Sequence, residues 1–148
     1  AEAAQRAVKH NPADRVIQAY AGVMLFADGM GEEGAALMEA AEQSPMQLPP
    51  EIGVFLAFHA FAHANYEEAI RRANRLTTIP SITSTILRAA SFAELGQGER
   101  AKLEVDALLT FAPDIPQSFS RRLEVRGIPP AIREKLGEAL SKAGLTVS

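Results

Sequence analysis

The chain has 148 residues, of which 47% are hydrophobic and 22% charged, and its net charge is −3. This length suits one domain with a sizeable core, and the absence of cysteine excludes disulfide frameworks, thiol catalysis and cysteine zinc sites. No apolar run approaches the ~20 residues of a membrane-spanning helix and no signal peptide is evident, so we expect a cytoplasmic protein without a membrane partner.

The charge is distributed unevenly along the chain. Residues 1–68 carry ten acids and three bases, a net charge of −7, whereas residues 69–148 carry eight acids and twelve bases, a net charge of +4. One interpretation is that the two halves simply have solvated helical faces of opposite sign. The other is that the C-terminal half docks an acidic partner.

Apolar residues spaced three and four apart, interrupted by proline and glycine, predict an all-α chain. In the second helix, Val16, Ala19, Tyr20 and Met24 recur on one predicted face, and in the third helix Ala36 is predicted to point inward. The helices are predicted, in chain order, over residues 1–10, 14–28, 31–43, 51 to the turn at 64, 66–76, 82–95 with Ser81 as the cap, 99–111, 115–125 and 130–143.

Three turns recur at a regular interval. Gly31, Ala64 and Gly96 lie 33 and 32 residues apart, each between two predicted helices. An alanine follows each turn five positions later, at Ala36, Ala69 and Ala101. A proline ends two of the units, at Pro80 and Pro113. Self-similarity at such a period is typical of helical-repeat proteins.

A period near 34 made of two helices resembles the tetratricopeptide repeat. In that family small residues occupy the eighth and twentieth positions; Ala57 and Ala89 match the eighth, and Ala69 and Ala101 the twentieth. The family's first-helix tryptophan is absent. The resemblance implies a right-handed α–α superhelix of about three helix-turn-helix repeats. The expected parts of this single domain are a partial repeat (1–12), three repeats (13–48, 49–80 and 81–113) and capping helices (114–148).

First helices of tetratricopeptide arrays line a concave groove, so the resemblance implies a protein-interaction or regulatory scaffold that binds a peptide or partner helix. The residues expected in this groove are Phe58, His59, Phe61, Ala62, Thr83, Ile86, Ala90 and Glu94. The alternative is that Phe58 and Phe61 are core residues, covered by a neighbouring helix, the N-terminal arm or a second subunit in a homodimer.

The end of the chain carries a second resemblance. The stretch Ile128–Leu145 is similar to the C-terminal endings of bacterial regulators that have an N-terminal nucleotide cyclase or winged-helix DNA-binding domain. It implies that the chain is the C-terminal, regulatory part of a larger bacterial protein. The alternatives are an ordinary capping helix, and a small-molecule sensor that uses the groove as its pocket.

We expect no enzyme, no metal and no cofactor. His59 and His63 have the spacing of a two-histidine metal site on a helix. The motif HAFAH, however, lacks the glutamate of a metalloprotease helix, and no third candidate ligand lies at a spacing typical of a metal site. No glycine-rich phosphate loop follows a predicted strand, and no serine has a histidine at a spacing that would indicate a catalytic pair. No catalytic residue is therefore predicted.

Two arginine clusters are the remaining candidates for binding. Arg71, Arg72 and Arg75 fall on the fifth predicted helix, and 121–126 contains three more arginines, at Arg121, Arg122 and Arg126. Because aromatic residues make up only 6% of the chain, few are available to stack on bases. We therefore interpret these clusters as solvated helix faces and expect no nucleic-acid partner.

Overall fold

The computed structural model describes residues 1–76 and 81–148, and all regular secondary structure in this part of the chain is α-helical, as predicted. The helices are α1 (Glu2–His10), α2 (Arg15–Ala27), α3 (Gly31–Glu42), α4 (Pro50–Ala62), α5 (Tyr66–Arg75), α6 (Ile82–Glu94), α7 (Gly98–Phe111), α8 (Ile115–Val125) and α9 (Pro130–Lys142). Pro80, which marked a repeat boundary in the sequence, lies outside the described residues.

The helices begin where local chemistry favours a helix start. Ser81 is the N-cap of α6, where its Oγ accepts a hydrogen bond from the Ser84 amide at 3.1 Å. Helices α4 and α9 begin with Pro50 and Pro130, whose missing N–H costs nothing in the first turn. These signals are local, which is why the predicted boundaries lie within one or two residues of the observed ones.

Asp14 caps α2, and its replacement by alanine should destabilise the protein by about 0.5–2 kcal/mol. Its Oδ1 accepts hydrogen bonds from the amides of Val16 at 3.0 Å and Ile17 at 3.1 Å, and alanine leaves both donors without that partner. Chemical denaturation measures the loss. Asp14→Ser is the control, since serine keeps a cap acceptor and should retain most of the stability; equal losses for the two variants would contradict this role.

Helices α2 and α3, α4 and α5, and α6 and α7 form three helix pairs joined by turns of the same geometry. In each turn one residue has a positive φ: Gly29 at 86°, Ala64 at 58° and Gly96 at 73°. The amide of the residue that follows donates to the carbonyl five positions before it, at 2.9 Å in all three: Met30 to Leu25, Asn65 to Ala60 and Gln97 to Phe92. This is the Schellman hydrogen bond of a helix C-terminus.

The turn geometry corrects the register of the first helix pair. The residue equivalent to Ala64 is Gly29, not Gly31, so the position five residues later is Gly34. Ala36, assigned to that position from the sequence, is exposed, and the assignment is wrong. The equivalent residues in the other pairs, Ala69 and Ala101, are 0% exposed.

The small residues of the first pair are both glycine. Gly22 and Gly34 lie twelve positions apart, as do Ala57 and Ala69 in the second pair and Ala89 and Ala101 in the third. A Cβ on Gly22 would lie 2.6 Å from the Gly34 oxygen, and a Cβ on Gly34 would lie 2.5 Å from the Gly22 oxygen. The backbones of α2 and α3 therefore touch at a distance that excludes any side chain.

The face that α2 buries also differs from the predicted one. Ala19 and Phe26 pack into the main core, whereas Tyr20 and Met24 are 42% and 48% exposed. Helix α2 packs against both α1 and α3, so a single stripe drawn from periodicity does not describe its contacts. Tyr20 instead donates a hydrogen bond to the carboxylate of Glu51 on α4, at 2.8 Å.

Consecutive pairs also pack on one another, α3 on α4 and α5 on α6, and one main core runs from Ala19 to Leu145. The last helix breaks the sequential order. Helix α9 packs against α6 and also contacts α4, two helices that precede it by more than thirty residues. Its apolar residues Leu136, Ala139 and Leu140 are fully buried. This placement determines what the predicted groove can do.

Candidate functional site

The predicted groove is largely filled by the chain itself. Phe58, Ile86 and Ala90 are 0% exposed, Phe61 is 3% exposed and Thr83 is 8% exposed. All but Thr83 belong to the same core as Leu136, Ala139 and Leu140 of α9. Four of these side chains, all but Thr83, are therefore core residues, and the expectation that they line an open groove is wrong.

Two of the remaining groove candidates, Ala62 and Glu94, lie along the edge of α9, where polar contacts hold it in place. His59, Ala62 and Glu94 are half-buried. Lys135 donates from Nζ to the Ala62 carbonyl at 3.1 Å, and Lys142 donates from Nζ to Glu94 at 2.7 Å. The hydrogen bond to Glu94 raises the pKa of Lys142. Two of the predicted groove residues thus contact α9.

An open depression lies instead between the N-terminal half of α6 and helix α8, and we call it the α6–α8 cleft. Its volume is 430 Å³, within the range of small binding pockets. Four of its lining residues are apolar, Ile82, Ile86, Leu123 and Val125, and five are polar or charged, Thr83, Ser118, Arg121, Arg122 and Arg126. Two predicted groove residues, Thr83 and Ile86, therefore belong to the wall of this cleft, although both side chains are buried.

A second depression of 370 Å³ adjoins the α6–α8 cleft. Ile82, Thr83 and Arg126 line both, so the two form one longer surface that also reaches Pro50 and Val54 of α4. Val125 is 81% exposed beside it. The surface therefore includes one apolar side chain that is open to solvent.

The three arginines of the cleft differ in how they are held. Arg122 donates to the Asp114 carboxylate and to the Ser118 hydroxyl, both at 2.8 Å, and the first of these bonds lowers the pKa of Asp114. Arg121 and Arg126 are exposed and form no ion pair within residues 1–76 and 81–148. Two of the three guanidinium groups are thus available for an outside carboxylate.

In the other arginine cluster, on α5, Arg71 and Arg72 pair with carboxylates of the chain, whereas Arg75 is exposed. Arg72 forms a two-pronged pair with Glu42 of α3, at 2.9 and 3.1 Å, and also donates to Glu68 at 2.8 Å. Arg71 pairs with Glu68 as well, and its hydrogen bond lowers the pKa of that carboxyl. Arg72 thus joins α5 to α3, and much of the donor capacity of Arg71 and Arg72 is already used.

A third group of polar side chains meets where α3 faces the end of α4. Glu32, in the first turn of α3, pairs with His63 Nε2, and His59 lies one turn before His63 with the two rings 4.2 Å apart. Phe26 packs edge-on against the His59 ring at 6.5 Å. Burial, and next the neighbouring His63, lowers the pKa of His59.

Sequence reasoning found the two histidines but missed Glu32. One ligand atom of each of the three residues lies within 4.8 Å of the others. Glu32 precedes His63 by 31 residues, and no spacing rule connects residues on helices of different pairs. Glu32 lies next to Glu33 in the first turn of a predicted helix, where the helix dipole favours carboxylates. That role accounted for the residue without a metal site.

Every helix within the described residues is too short or too polar to cross a lipid bilayer. The chain matches no protein-family model, no curated protein and no solved structure.

Proposed function

We propose that this chain is a protein-interaction module of the tetratricopeptide-like kind, which binds an acidic segment of a partner protein in the α6–α8 cleft. The repeat assignment is supported by three helix pairs with the same turn hydrogen bond and the same twelve-residue spacing of small residues. In the proposed arrangement the pairs form a right-handed solenoid of about three repeats, and α9 closes its concave side.

The single observation that carries the binding proposal is the combination of an apolar recess with an arginine rim. Ile82 and Val125 offer a surface for one or two apolar side chains, and Arg121 and Arg126 offer guanidinium groups for carboxylates. Arginine is suited to this role because its planar fork binds a carboxylate through two parallel hydrogen bonds. The net charge of +4 on residues 69–148 favours an acidic partner over a basic one.

A nucleic acid is a poorer fit to the same surface. Arginines attract phosphates, but none of the described residues that line the cleft is aromatic, so bases would find no ring to stack on. A peptide that alternates acidic and apolar residues fits both components of the cleft. We therefore propose that an acidic, partly apolar protein segment is the ligand.

Fluorescence anisotropy with a labelled peptide of alternating leucine and glutamate tests this function. Reversing two charges, in the double variant Arg121→Glu and Arg126→Glu, should weaken binding at least about tenfold because repulsion replaces two charge-assisted hydrogen bonds. Affinity for the unmodified protein should also fall as salt concentration rises. Both residues are exposed, so the double variant should fold normally.

Arg75→Glu is the control, since it makes the same substitution once, with half the total charge change, at an exposed arginine on α5 away from the cleft, and it should leave affinity nearly unchanged. A peptide with lysine in place of glutamate should not bind. Equal affinity of the double variant and the unmodified protein, or affinity independent of salt, would exclude the α6–α8 cleft as the site.

A further inference from the structure

We propose that Glu32, His59 and His63 form a binding site for a divalent transition metal of the zinc class. Two imidazoles and one carboxylate come from two helices, α3 and α4, and their ligand atoms lie within 4.8 Å of one another. His59 and His63 are four residues apart on the same helix, so both rings project to one side. Small rotations of exposed side chains would bring the three atoms to coordination distance.

The hydrogen bonding of His63 prepares it to act as a ligand. Its Nδ1 lies 2.9 Å from the carbonyl oxygen of His59, an arrangement in which Nδ1–H donates to that oxygen. Such a bond leaves Nε2 as the nitrogen with a free lone pair, and Nε2 is the atom that faces Glu32. A cation bound at Nε2 would therefore also lie next to the Glu32 carboxylate.

The chemistry of the donors indicates which metals fit. Imidazole nitrogen with one carboxylate oxygen is a ligand set for Zn²⁺, Co²⁺, Ni²⁺ or Cu²⁺, whereas Ca²⁺ and Mg²⁺ require mostly oxygen ligands. The side chains of His63 and Glu32 are 50% and 75% exposed, so an ion can enter from solvent. Three protein ligands leave a fourth tetrahedral position for water.

A metal at this position would join two helix pairs. Glu32 begins α3, which pairs with α2, while the histidines end α4, which pairs with α5. An ion held by both would couple these pairs and stabilise the folded chain, since binding to the native state alone raises its stability by mass action. The proposal is independent of the α6–α8 cleft, to which none of the three residues contributes.

Thermal unfolding of chelator-treated full-length chain, titrated with ZnCl₂, tests the site. At a hundredfold excess over the dissociation constant the melting temperature should rise by roughly 5–10 °C. MgCl₂ should produce no rise. Co²⁺ provides a second measurement, because a tetrahedral Co²⁺ complex with nitrogen and oxygen ligands absorbs visible light with an intensity that octahedral aqueous Co²⁺ lacks.

Three variants separate a built site from incidental binding. His63→Gln and Glu32→Gln should each lose most of the zinc-dependent shift and the Co²⁺ absorption, while their melting temperatures without metal stay close to that of the unmodified chain because both residues are exposed. His10→Gln, at the exposed end of α1, is the matched control and should retain the full response. An undiminished shift in His63→Gln or Glu32→Gln, or an equal response to Mg²⁺, would overturn the proposal.

Discussion

Replacing Phe58 with alanine should lower the free energy of unfolding by about 3–5 kcal/mol. The side chain is 0% exposed and belongs to the core that also contains Ile86 of α6 and Leu136 of α9. Truncation would leave a cavity at the junction of three helices, and the backbone around it can close only partly. Urea denaturation monitored by circular dichroism measures the loss.

Met24→Ala is the control for this experiment. Met24 is also a large apolar residue on a first helix of its pair, but it is 48% exposed. Its truncation should change stability by only about 0.5 kcal/mol or less, as for most surface substitutions. If Phe58→Ala were as mild as Met24→Ala, α9 would not cover Phe58 in solution, and the concave groove predicted from the sequence would be open.

Replacing Gly34 with alanine should destabilise the protein by about 1–3 kcal/mol, although alanine is the better helix former. The added Cβ would lie 2.5 Å from the Gly22 oxygen and 2.7 Å from the Phe26 nitrogen. Both are backbone atoms, which cannot rotate away as a flexible side chain can. Helices α2 and α3 would have to separate along their contact, and denaturant titration would report the cost.

Gly31→Ala supplies the comparison within the same helix. A Cβ at Gly31 has nothing within 4 Å, so alanine there should leave stability unchanged or raise it by up to about 1 kcal/mol. The two substitutions are chemically identical and three residues apart. Equal effects on stability would contradict the close backbone contact and the register in which Gly34, rather than Ala36, corresponds to Ala69 and Ala101.

The error at Ala36 has a specific cause. Gly29 and Gly31 both suit a turn, and the sequence contains both, so the spacing to Ala64 does not choose between them. The choice depends on which residue adopts the left-handed conformation, with φ 86° at Gly29. The first pair also has glycine, at Gly22 and Gly34, where the other two pairs have alanine. An alignment of alanines therefore cannot find the correct register in this pair.

The open groove was predicted from the resemblance to tetratricopeptide repeats. The prediction did not include helix α9, which packs against α4 and α6. Three of the residues predicted to line the concave side, Phe58, Phe61 and Ile86, are large and apolar. Leu136, Ala139 and Leu140 of α9 join the same core as these residues, which buries apolar surface. The α6–α8 cleft then remains as the open surface.

The sequence alone determined the helices and their ends, because helix propensity, capping residues, proline and glycine act within a few residues of one another. Only the tertiary structure decided three other things: that Gly22 meets Gly34, that α9 joins the core that contains Phe58, and that Glu32 reaches His63. Each joins residues on different helices. Their meeting depends on how whole helices pack to bury apolar surface, and no local pattern records that outcome.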